Sequence, residues 1–120
     1  MRGAAMIAMS ASAAMTAPAM GQEAAKPVAG CIIAALHYKG RMSEGVEIPK
    51  SVDEGLTYWM AEFDRVQPDR AKQEQLLDGA HKALEKDYAT MGLAGSQKML
   101  HVSHFLALCE VERQKREAKP

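Results

Sequence analysis

The chain has 120 residues, 15 of them Lys or Arg and 15 Asp or Glu, with two cysteines, nine methionines and 48% hydrophobic residues. That length holds one domain and excludes a large enzyme scaffold such as an (α/β)-barrel, while the even charge lacks the basic surplus on which nucleic-acid binding depends. A quarter charged and nearly half apolar, the composition is that of a folded chain rather than a disordered one.

The residues are unevenly spread. Positions 1–21 hold five of the nine methionines, a single charge at Arg2 and no acid. Arg2 followed by an unbroken run of Ala, Met, Ile, Ser, Thr and Gly over 3–17, then small residues at Ala17, Ala19 and Gly21, has the form of a secretory signal peptide. Cleavage after Ala19 or after Gly21 fits. The second keeps Pro18 away from the cut and predicts a mature chain over 22–120 with 14 basic and 15 acidic residues. The apolar run is too short and too weakly hydrophobic for a spanning helix, so no transmembrane segment is expected in the mature chain. Val28-Ala29-Gly30-Cys31 has the form of a lipobox, which would anchor the chain by acyl groups on Cys31. Gln22, Glu23, Lys26 and Pro27 separate it from the apolar run, which argues against that reading.

The mature region predicts four helices and no strand. The first covers about 26–42, with Pro27 in its opening turn and Val28, Cys31, Ile32, Ala35, Leu36 and Met42 on one face. Gly40 and Gly45 bracket its end, and a linker of about nine residues leads to Ser51-Val52-Asp53-Glu54, which reads as a capping box. The second helix runs to about Gln67, its face formed by Val52, Leu56, Trp59, Met60, Phe63 and Val66. Pro68 and Asp69 open the third, striped by Leu76, Leu77, Ala80, Leu84, Tyr88 and Met91 and ended by Gly92 and Gly95. Ser96 is the expected N-cap of the fourth, which is predicted to bury Leu100, Val102, Phe105, Leu106, Leu108 and Cys109 before a charged end over 110–119.

Short connections favour antiparallel neighbours, so the expected fold is all-α, a small up-down-up-down four-helix bundle. In that order the first and fourth helices are adjacent. Cys31 lies about five residues into the first and Cys109 about eight from the end of the fourth, so at 1.5 Å per residue both sit about 8–12 Å from the same end. Height, inward face and an oxidising compartment together predict one inter-helix disulfide, Cys31–Cys109.

Reactive constellations are few. His101 and His104 lie one turn apart on the fourth helix, and His81 sits at the edge of the third helix's stripe. Together they form a candidate metal or haem set in a bundle core. Histidines on apolar helical faces are more often packed than ligating, and no Glu-x-x-His, His-Glu-x-x-His or Cys-x-x-Cys-His motif accompanies them. His37 points to the polar side of its helix. Ser103 and His104 diverge by about 100° and cannot form a nucleophile–base couple. Tyr58, beside Trp59 and Phe63 but turned away from them, is a candidate partner-facing aromatic.

No cofactor and no enzymatic role are expected. The residues point to a periplasmic or secreted non-enzymatic protein of the cell envelope that binds another macromolecule. The alternative is a metal- or haem-binding bundle using His81, His101 and His104.

Overall fold

The computed structural model describes residues 2–41 and 47–118, with side chains from residue 22 onward. Four helices follow one another: α1 (Arg2–Arg41), α2 (Lys50–Val66), α3 (Arg70–Met91) and α4 (Ser96–Ala118). Among the described residues there is no strand. No described helix is long and apolar enough to cross a membrane. The expected core position Met42, the linker glycine Gly45 and the side chains of residues 1–21 lie outside the described residues.

The helices form a bundle whose directions follow from the residues that meet. Along α1, Lys39 pairs with Asp53 of α2 while Val28 and Ile32 pack with Trp59 and Phe63, so α1 and α2 run oppositely. Cys31 joins Cys109, and Ala34 packs with Val102 farther back along α4, which makes α4 antiparallel to α1 as well. On α3, Leu76 packs in the cluster with Ala25 and Ala29, whereas His81 meets His37 and Tyr88 lies under Arg41. These pairs give α3 the direction of α1. The order is up-down-up-down.

The packing is nevertheless not that of a square bundle. α1 touches each of the other three helices, and α3 and α4 approach each other less closely than either approaches α1. The cause is visible in one segment, Val28-Ala29-Gly30-Cys31-Ile32-Ile33-Ala34-Ala35, where every residue but half-buried Gly30 is buried. A helix apolar on all sides has no solvent face to offer, so it becomes the central pole of the domain. The single stripe read from the sequence therefore undercounts α1, missing Ala25, Ala29, Ile33 and Ala34, while Leu36 is exposed. At Gly30 the helices come close enough that an added Cβ would stand 3.3 Å from Phe105 Cζ of α4.

With α1 enclosed, the outer helices bury narrower stripes than expected. Trp59 and Phe63 of α2, Leu84 and Tyr88 of α3, and Val102 and Cys109 of α4 are core residues. Met60 (53% exposed), Met91 (58%), Leu100 (72%) and Leu108 (56%), all expected inside, are outside. On the α4 wheel Leu100 falls nearly opposite Val102 and Cys109, and Leu108 about 100° from them.

Helix ends differ from the sequence reading in detail. α1 is helical from Arg2 rather than from about 26, which puts Pro27 in its interior at the loss of one main-chain hydrogen bond. Pro49, not Ser51, is the N-cap of α2, without a side-chain cap; in the first turn the Asp53 carboxylate accepts from Lys39 Nζ at 2.6 Å. Asp69 caps α3 as its position suggested, accepting from the Lys72 N–H at 3.1 Å. Gly92 (φ 66°) closes α3 in the left-handed conformation that favours glycine. Ser96 is already helical, and Gln97 Oε1 accepts the Ala94 N–H at 3.3 Å just before it. The tight α2–α3 turn is locked by Gln73, which donates from Nε2 to the Gln67 carbonyl (2.7 Å) and to Asp64 Oδ1 (2.8 Å). Gln73 is buried, although the charged run around it reads as a solvated face.

The Cys31–Cys109 disulfide spans 78 positions with a Cα–Cα distance of 5.9 Å, and both residues are buried in the cluster containing Trp59 and Phe63. Its sulfur being committed, Cys31 offers no thiol for lipidation in this fold, and cleavage ahead of it would remove Val28 and Ala29 from the core. By the loop-entropy relation such a link stabilises the fold by roughly 4–5 kcal/mol. Urea denaturation with and without a phosphine reductant, and of the Cys31→Ser/Cys109→Ser variant, is expected to show a loss of about 4 kcal/mol. A loss under about 1 kcal/mol would mean that packing around α1 alone sets the stability.

Candidate functional site

α3 carries different chemistry on its two flanks. Its core stripe, Leu77, Leu84 and Tyr88, faces α1. At about 100° per residue, Leu76, Gly79, Ala80, Ala83 and Asp87 turn toward α4, whereas His81 and Glu85 turn the other way.

On the α4 side the helices leave a groove of about 660 Å³. Gly30 and Ile33 of α1 form its floor, the small residues of α3 one wall, and Phe105 and Leu108 of α4 the other. A Cβ built on Gly79 meets nothing within 4 Å, so this wall faces open space. The rim is polar and of mixed sign: Lys26 and Gln75 at one end, Asp87 and His101 at the other, with His104 between. His101 Nε2 stands 3.8 Å from Asp87 Oδ2, a contact that becomes an ion pair when the imidazole is protonated. Beyond the rim, α4 continues with Leu100 and Val111 exposed. Leu100, His104, Leu108 and Val111, at i, i+4, i+8 and i+11, share one helical face about 16 Å long. The groove and this stripe form one apolar surface. A smaller cavity of about 250 Å³ lies beside the disulfide, between Trp59, Tyr38 and Leu106.

On the other flank, His37 Nε2 of α1 and His81 Nδ1 of α3 are 2.9 Å apart, their rings edge to face. Such a hydrogen bond needs a proton on one ring nitrogen and none on the other. Among the described residues, His37, His81 and Glu85 form the group of potential metal ligands whose donor atoms, one per residue, lie within 4.8 Å of one another. His101 and His104, the companions expected for His81, are not part of it. His37 was assigned to the polar side of its helix; it is half-buried because α3 covers that side. Burial lowers its pKa, as do His81 and Arg41, while Glu85 acts in the opposite direction. His37 is therefore neutral at pH 7.

Tyr88 lies under these groups, its ring 6.2 Å from His37 and 6.0 Å from His101, with Arg41 and Lys98 stacked on it. Its hydroxyl is buried without a hydrogen bond of good geometry, although the Arg41 guanidinium acts on it. Burial raises its pKa, so the phenol stays protonated.

The expected partner-facing residue Tyr58 is half-buried and packs edge-on against Trp59, with ring centroids 4.9 Å apart. It borders a charged cluster that ties α2 to α4. Glu62 accepts from Arg65 (2.6 Å) and from Arg116 (3.1 Å), and Arg116 also pairs with Glu112 and covers the Trp59 ring at 5.0 Å. The hydrogen bond from Arg65 lowers the pKa of Glu62, and that from Arg113 lowers the pKa of Glu110. The chemistry nearest Tyr58 is thus structural pairing.

No protein-family model, curated protein or solved structure matches the chain.

Two stability effects follow from these groups. The His37 pKa is 6.5 when unfolded and lower when folded. Its contribution is full above pH 6.5 and declines as pH falls through the lowered folded value, because the unfolded chain binds the proton first. Glu62 and Glu110, lowered from 4.5, add a second decline as pH falls below that value. Thermal melts from pH 8 to 3 should show both, with His37→Gln removing only the first; an unchanged profile in that variant would locate the transition elsewhere. Tyr88→Phe deletes a buried hydroxyl that lacks a well-formed hydrogen bond and is expected to raise stability by about 1 kcal/mol in urea. Destabilisation by a similar amount would reveal a hydrogen bond to that oxygen.

Proposed function

We propose that the chain is an exported, non-enzymatic binding protein of the cell envelope, periplasmic or secreted, whose α3–α4 groove receives the apolar face of an amphipathic helix from a partner protein. The observation that carries this reading is the continuity of the groove with the exposed face of Leu100, Leu108 and Val111. A pocket for a compact small molecule ends at its rim. This surface instead runs on along α4, which suits a ligand with its own helical repeat. The small residues Gly79, Ala80 and Ala83 of α3 leave room for bulky side chains of the incoming helix. Lys26 at one end and Asp87 at the other supply opposite charges that would set its direction.

Export is supported by the leader-like pattern of residues 1–21 and by the disulfide, which persists in oxidising compartments. A non-enzymatic role is supported by the character of the groove. Its polar groups stand at the rim, and no nucleophile and base meet within it. Among the described residues, the contact between titratable groups there, His101 with Asp87, lies at 3.8 Å.

Intact-mass measurement of protein taken from its native envelope is expected to give a chain beginning at Gln22 and two hydrogens lighter than the dithiol. Retention of residues 1–21, with both thiols free, would reject export. For the groove, a photo-crosslinking amino acid at position 108 should yield one adduct of discrete mass in the native cell, and the same probe at exposed Lys82 should not. Gly79→Trp fills the groove with no clash at Cβ and should reduce that adduct at least about tenfold without lowering the melting temperature. Adduct formation undiminished by Gly79→Trp would remove the groove from the reading.

A further inference from the structure

The flank of α3 turned away from the groove brings together three metal-ligating side chains from two helices. We propose that His37, His81 and Glu85 form a binding site for one borderline first-row dication, Zn²⁺ or Cu²⁺, that clips α1 to α3.

The geometry carries this. Two imidazole nitrogens bound to one ion at about 2.05 Å stand about 2.9 Å apart at a right angle and about 3.3 Å apart at the tetrahedral angle. His37 Nε2 and His81 Nδ1 are already 2.9 Å apart across the helix seam, and a modest turn of the two rings converges both lone pairs on one ion beside the line that joins them. The third donor, a Glu85 carboxylate oxygen, is within 4.8 Å of both. Glu85 follows His81 by four positions and so occupies the same face of α3. Its side chain is exposed, and a change of rotamer is free to bring an oxygen to ligand distance. Binding exchanges the proton shared by the two rings for the ion. The ring that now donates moves its proton to its other nitrogen, so both rings enter as neutral ligands and no proton need be released.

The donor set also selects the ion. Two imidazoles and one carboxylate suit Zn²⁺ and Cu²⁺, whereas Mg²⁺ and Ca²⁺ require oxygen-rich shells. Because His81 and Glu85 are exposed, water completes the coordination. The charged groups facing the site are Glu85, which favours a cation, and Arg41, which opposes it, so affinity rests on the directional nitrogen bonds more than on net field.

The site lies on the opposite flank of α3 from the groove, so it stands or falls independently of helix binding there. The test uses untagged, disulfide-intact protein titrated with ZnCl₂, CuCl₂ or MgCl₂ alone. Calorimetry should give one Zn²⁺ or Cu²⁺ per chain and no Mg²⁺, with a rise in melting temperature as α1 and α3 are joined. His81→Ala, at an exposed position, and His37→Ala should each weaken binding about tenfold or more, Glu85→Gln less, and His104→Ala not at all. Substoichiometric Cu²⁺ should selectively broaden the His37 and His81 ring resonances of the wild-type chain, a readout that holds even if His37→Ala fails to fold. Undiminished affinity in His81→Ala, loss of binding in His104→Ala, or broadening confined to His101 and His104 would overturn the assignment.

Discussion

The burial of one helical segment on every side is the constraint from which the rest of the molecule follows. Residues 28–35 of α1 leave no polar arc for solvent, so the chain must supply neighbours all around them. Three helices do this, each laying a narrow stripe on α1 rather than sharing a central core among four equals. The side chains of that segment are mostly small, which lets the backbones approach closely, as Gly30 shows against Phe105. The disulfide ties α1 to α4 within the same segment, and the Gln73–Asp64–Gln67 bonds hold the α2–α3 turn.

Three helices around a pole need not close against each other, and here they close unevenly. α2 and α4 are joined by Glu62, Arg116 and the stacked Trp59 ring, and α2 is tied to α1 through Lys39 and Asp53. Between α3 and α4 the corresponding polar link is the longer His101–Asp87 contact, conditional on protonation. Small residues on α3 face that side. The open seam is therefore the place where the domain retains apolar surface, and Leu100, Leu108 and Val111 extend it. The same attachment of α3 to α1 gathers His37, His81 and Glu85 on its other edge. One packing decision creates both surfaces.

The four helices were legible because their signals are local. Asp69 and the Gly92 terminator act within a few residues of themselves, and apolar spacing needs no distant partner. The disulfide was legible because helix length and order convert position into height. Core membership was legible only where a residue lies near the centre of a stripe, as with Trp59, Phe63, Tyr88, Val102 and Cys109. At the margins it failed. Leu100 and Leu108 are apolar and helical, yet their burial depends on whether a neighbour covers that arc, and α3 stands away from it. Gln73 failed in the opposite sense, because its amide is enclosed by a turn formed with residues six to nine positions earlier.

The candidate site was the least legible part. His81 could be singled out from its wheel position, but its companions could not, since the distance from His37 to His81 spans 44 positions and two helix orientations. An all-round apolar run at Val28-Ala29-Gly30-Cys31-Ile32-Ile33-Ala34-Ala35 was the available signal that α1 is central, and that centrality is what brings α3 over His37. Sequence by itself determined the helices, their order and the cysteine pair, because each depends on periodicity, capping chemistry or chain length. Tertiary structure alone decided which flank of α3 meets α4, which leucines remain in solvent and which histidines face each other. These depend on how far three helices can wrap a fourth, a property of packed volumes that no single segment contains.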